Sequence, residues 1–179
     1  MNKINALLVA AILAMGLSVN AMDSETEKAS KALGAEMATE ITFDPGQVTL
    51  SDSSKSEIRD LIHDARAKGD VEDVKIAVWA DREYPMKEKK ASKEDVALAA
   101  KRGDALKEFI KKEMDIASVN TYNMTERPNA LQQFLKTPEA KVKDTLEARG
   151  AAPKSNSETG IFGENSKSSK AVIMVYQKL

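Results

Sequence analysis

The chain closes on KAVIMVYQKL, in which Ala171–Tyr176 run apolar with no polar interruption. A strand wetted on one side alternates apolar with polar residues, so an unbroken run of this kind belongs to a strand covered on both faces. A second run, Val71–Asp81, does alternate, with Val74, Ile76, Val78 and Ala80 on one face and Lys75, Ala77, Trp79 and Asp81 on the other. It carries the strongest strand signal and ends on a bare carboxylate. Weaker strands are predicted at Glu40–Phe43, stopped by the turn residues Asp44, Pro45 and Gly46, and at Ser118–Met124.

Between these runs the apolar residues change to helical spacing. Ile58, Leu61, Ile62 and Ala65 follow a capping-box pair, Ser54 and Glu57, and Gly69 supplies a stop. Ser92 and Asp95 open a second helix, Lys93–Lys112, with Val96, Ala99, Gly103, Leu106 and Ile110 along one side. A glycine in mid-helix costs about 1 kcal/mol relative to alanine, so Gly103 is expected where another backbone approaches. Asn129 is placed to cap a short helix through Lys136, and Thr137, Pro138 and Glu139 read as N-cap, N1 and N2 of a helix reaching Gly150. Residues 82–92 read as a polar, Lys-rich loop, 151–169 as a mobile surface loop, and 22–39 as a flexible arm or frayed helix. The order predicts one α/β sandwich (α+β), with helices packed on a mixed four-stranded sheet.

Residues 1–21 have the layout of a secretory signal: Lys3, an apolar run from Ala6 to Leu17, then the small residues Val19 and Ala21. That run is shorter than the roughly 20 residues a membrane-spanning helix needs. Cleavage is expected after Ala21, releasing a soluble periplasmic protein with no membrane span. Export makes disulfides available, yet the sequence contains no cysteine, so packing alone must hold the fold. Loss of the signal leaves 26 basic against 28 acidic side chains, which excludes a strongly basic surface for nucleic acid or anionic membrane.

Several segments resemble the OmpA-like C-terminal domain, the periplasmic module that holds peptidoglycan. ITFDPGQVTL is similar to that family's first strand and the approach to its first helix, VWAD stands where the family has Gly-x-Thr-Asp, DVALAAKRGDALKEFI resembles its Asn-x-x-Leu-Ser-x-x-Arg-Ala helix, and KAVIMVYQ its closing strand. The likeness spans residues 40–179 and implies the order βαβαβ(α)β. It also implies a ligand, the diaminopimelate of the peptidoglycan stem peptide, and two residues to grip it, Asp81 and Arg102. The free end of diaminopimelate is an amino acid, so a carboxylate can accept from its ammonium while a guanidinium fork donates to its carboxylate. Asp95, Asp44 and the backbone at Ala80 are expected to complete the pocket. The chain departs from the family pattern at Val78, Ala80, Tyr84, Asp95, Ala99 and Gly103, and hydroxyl partners are lost with the Thr and Ser.

Each feature has a plainer alternative. Asp81 and Arg102 fit an internal salt bridge as well as a clamp, and Trp79 fits buried packing better than a ligand wall. The Lys-rich loop fits a solvated segment. His63, the single histidine, has no cysteine or second histidine to share a zinc ion, and the serines of SDSS lack an elbow motif, so neither catalysis nor a cofactor is expected. Two functions remain open. One is non-covalent peptidoglycan binding; the other is an interaction module for another envelope protein, with the fold kept and the glycan site decayed.

Overall fold

The computed structural model describes residues 22–81, 90–126, 132, 135–151 and 169–178. Among these, four strands form one mixed sheet: β1 (Met37–Thr42), β2 (Val71–Val78), β3 (Val119–Asn123) and β4 (Lys170–Gln177), in the spatial order β1-β4-β2-β3. The last strand is thus threaded between the first two, antiparallel to both, while β2 and β3 run parallel. Four helices accompany them: α1 (Ser24–Ala32), α2 (Asp52–Lys68), α3 (Lys93–Glu113) and α4 (Pro138–Ala148). The expected fold class, helices on a mixed four-stranded sheet, is what the chain adopts.

The uninterrupted apolar run of β4 is explained by this position. Ala171, Ile173 and Val175 point into one core with Ile41, Ile58, Ile62, Val74, Leu106 and Ile110. Val172 and Met174 point into a second with Ala29, Trp79, Val142 and Leu146. Helices α2 and α3 cover the first face, and α1 and α4 the second. Each fully buried aliphatic side chain contributes about 1.5–3 kcal/mol before its entropy cost, so a strand placed here gains on both sides.

The second cover was not legible. Residues 22–39, expected as a flexible arm or a frayed helix, hold helix α1, N-capped by Asp23, and the start of β1. Thr26, Ala29 and Ser30 are its buried residues, and small side chains of this kind make no apolar stripe for a sequence pattern to detect. The polar ones are satisfied locally: the Ser30 hydroxyl donates to the Thr26 carbonyl, and Thr26 Oγ1 to Glu40. Glu40 also accepts from the buried Lys170 Nζ at 2.9 Å. Lys143 of α4 is buried as well, its ammonium donating to the carbonyl of Met124.

Element boundaries moved where hydrogen bonding overruled pattern. Helix α2 starts one turn early, because Ser51, not Ser54, accepts from a free helical N–H, that of Ser54 itself. Helix α3 keeps its expected cap, with Ser92 Oγ accepting from Asp95 N and donating to the Asp95 carboxylate. Thr137 and Pro138 open α4 as expected, but it stops at Ala148, ahead of Gly150 at φ +74°. Strand β2 stops at Val78: the Ala80 N–H donates to Thr125 Oγ1 instead of continuing a ladder. Trp79 is buried packing. The Lys-rich loop at 82–89, the cap expected at Asn129 and loop residues 152–168 lie outside the described residues.

Gly103 faces side chains, not a backbone. A Cβ there would meet Val78 Cγ1 at 3.3 Å and Thr121 Cβ at 3.5 Å, so the glycine lets α3 settle onto β2 and β3. Gly103→Leu is therefore expected to lower unfolding stability by about 1–3 kcal/mol in urea melts despite its better helix propensity.

Candidate functional site

The helix face that settles on the sheet also carries Arg102. It lies one residue before Gly103, and its side chain is 0% exposed. A buried guanidinium must place its five N–H donors, and no strand can offer that many free acceptors. The chain supplies them from irregular backbone. Nε donates to the Gln47 carbonyl at 2.8 Å, Nη1 to the Trp79 carbonyl at 3.1 Å, and Nη2 to the Asp44 carbonyl at 3.2 Å and Asp81 Oδ1 at 2.6 Å. The Phe43 ring lies against the group, its centroid 4.8 Å from the guanidinium carbon.

Asp81 is the outer partner, with its side chain 31% exposed. Oδ1 accepts from Arg102 and from the Ser169 hydroxyl at 2.7 Å, and Oδ2 accepts from the Gly46 N–H at 2.7 Å. Partial burial pushes this carboxyl up, but the Ser169 hydroxyl, the Arg102 guanidinium and the Gly46 amide together outweigh it and hold it below the usual carboxylate value. The group is ionised at neutral pH. A carboxylate has about four acceptor positions, so one position on Oδ2 has no donor among the described residues.

Of the residues singled out in the sequence, the fold brings Asp81 and Arg102 into direct contact. It does not present an open guanidinium fork to a ligand: Nε and Nη2 have committed every hydrogen and Nη1 one of its two, so a ligand carboxylate could not take a two-bond grip without displacing a backbone carbonyl. Asp44 joins through its carbonyl while its side chain is exposed. Ala80 is buried, its N–H spent on Thr125 and its carbonyl accepting from the Ser169 N–H. Asp95 lies roughly two turns before Arg102 along α3 and closes the helix cap with Ser92.

Three contributors escaped the sequence reading. Gly46 had been seen only as a turn former, yet its φ of +72° is what aims its N–H at Asp81. Gln47 contributes only its carbonyl, which leaves no trace in residue type. Ser169, at the start of β4, gave no signal because it reaches Asp81 only once β4 lies beside β2.

No family model and no curated protein matches this chain. A search of solved structures finds the OmpA-like domain of FopA1 from Francisella tularensis at 10% sequence identity, covering 79% of this chain and 75% of that one with a TM-score of 0.35. At that level the likeness says nothing about what either protein binds.

Removing the guanidinium takes a donor from three carbonyls and a carboxylate, leaving Asp44 only the Gln47 N–H and Asp81 only the Ser169 and Gly46 donors, so Arg102→Met should cost about 3 kcal/mol in a denaturant melt. Asp81 contributes to the acid limb. Its folded pKa is depressed, so its contribution is complete above the unfolded value near about 4 and is lost as pH falls through the lower folded value. Between about pH 5 and pH 2, wild-type stability should fall more steeply than that of Asp81→Asn, measured by urea titration at each pH.

Proposed function

We propose that this chain is an exported cell-envelope protein that binds peptidoglycan non-covalently, with Asp81 accepting from the ammonium of diaminopimelate in the stem peptide. The observation that carries the reading is the Asp81 carboxylate itself: ionised, partly exposed at the rim of the sheet, and with an acceptor position on Oδ2 that no donor among the described residues takes. The signal-like residues 1–21 and the resemblance of residues 40–179 to peptidoglycan-holding domains support it. No helix among the described residues is long and apolar enough to cross a membrane. In this reading Arg102 is a positioning residue, a buried counter-charge that fixes Asp81, and not a second jaw on the ligand. No cofactor and no catalytic group take part.

A second reading is favoured by the commitment of four of the five Arg102 N–H donors inside the fold and by one surface feature. Between the approach to α2 and helix α3 lies an open groove of about 400 Å3 with Val48, Leu50, Ala105 and Phe109 on its apolar floor. Here the fold would serve as an interaction module for another envelope protein.

Sedimentation with sacculi separates the two. The exported protein should pellet with purified peptidoglycan, and Asp81→Asn, checked for folding by circular dichroism, should lower the affinity about tenfold, the loss of one hydrogen bond to a charged group. Wild-type protein left in the supernatant sinks the first reading. Capture of an envelope protein that is lost in Phe109→Glu and kept in Asp81→Asn supports the second.

A further inference from the structure

Ser169 stands immediately before β4 with a backbone φ of +61°, a left-handed conformation that residues other than glycine seldom adopt. Three hydrogen bonds hold it there. Its N–H donates to the Ala80 carbonyl at 2.8 Å, its carbonyl accepts from the Phe43 N–H at 2.6 Å, and its hydroxyl donates to Asp81 Oδ1 at 2.7 Å. The two backbone bonds tie Ser169 to the end of β2 and to the residue after β1, so the hydroxyl is delivered to the carboxylate by the sheet itself.

An ammonium has three donors and gains most when it reaches both oxygens of a carboxylate. At Asp81, Arg102 and Ser169 together fill Oδ1 and Gly46 takes one position on Oδ2. We infer that the Ser169 hydroxyl is an internal competitor for ligand, restricting an incoming primary ammonium to a single contact on Oδ2 and so setting the affinity of the site. The inference rests on the reading of Asp81 given above. The Ser169 hydroxyl is a side-chain group that substitution can delete, whereas the Arg102 and Gly46 donors are fixed by a buried helix face and by backbone. Ser169 is therefore the one neighbour that can be removed without dismantling the carboxylate's support.

A purely structural hydroxyl and a competing one make opposite forecasts. If Ser169 only braces Asp81, its loss loosens the carboxylate and weakens both folding and binding. If it competes, its loss weakens folding and strengthens binding.

The test is calorimetric titration of the exported protein with free diaminopimelic acid, beside urea melts. Ser169→Ala is expected to melt earlier yet bind about fivefold tighter than wild type, the scale of one competing hydrogen bond. Ser169→Gly removes the same hydroxyl while suiting the positive φ, so it should show the same gain in affinity even if the alanine variant folds poorly. Wild-type binding that is unchanged or weakened in both variants overturns the competitor role and leaves peptidoglycan binding standing. Absence of binding to diaminopimelic acid and to sacculi in wild type and both variants overturns the two together.

Discussion

A charge taken wholly out of water organises this fold. Arg102 sits under the end of β2, and an uncompensated guanidinium in that position would cost several kcal/mol. Its acceptors come from three places distant in sequence: the turn after β1 through Asp44 and Gln47, the exit of β2 through Trp79, and Asp81 beyond it. The exit of β2 still pairs with the β4 segment through the Trp79 N–H and the Ala80 carbonyl, and the guanidinium ties the turn after β1 to it; through Asp81 the same network reaches Gly46 and Ser169. Carbonyl dipoles carry much of the compensation. This lets Asp81 remain at the surface while still neutralising the buried cation.

The same end of the sheet is fastened from the other side. Ser169 and Lys170 are consecutive, and their side chains reach opposite faces of the sheet. One reaches Asp81 on the face of α3; the other reaches Glu40, with its ammonium 5.7 Å from the centroid of the Trp79 ring on the face of α1. Glu40 in turn accepts from Thr26 of α1. With no cysteine available, polar ties on both faces and two separate apolar cores fix the inserted strand β4. The indole N–H of Trp79 is buried without a hydrogen-bond partner among the described residues.

In the reading proposed for Asp81, the ligand site is asymmetric. A clamp with two equal jaws would need the guanidinium at the surface, whereas here the cation is structural and the carboxylate is the exposed half. Selectivity at such a site depends on donors offered to one carboxylate and on what already occupies it. The hydroxyl of Ser169 thereby acquires more weight than the arginine that the family resemblance had placed in contact with ligand.

Much of this was written in local pattern. The period of two in Val71–Val78, the unbroken run at Ala171–Tyr176, the Ser92 cap and the Thr137-Pro138 start each state a preference that holds within a few residues, because alternation, capping and proline geometry are local physics. That Asp81 and Arg102 come together was legible in part: the resemblance of motifs set them around one ligand, and the plainer alternative was the internal salt bridge that the fold forms. What tertiary structure alone decided was which way the guanidinium faces, since that depends on backbone carbonyls at Asp44, Gln47 and Trp79, and a carbonyl is the same in every residue. It also decided that Ser24–Ala32 would be a covering helix and that Ser169 would reach Asp81. Small polar side chains carry no periodic signal, and a contact across 88 residues exists only once β4 has slotted between β1 and β2.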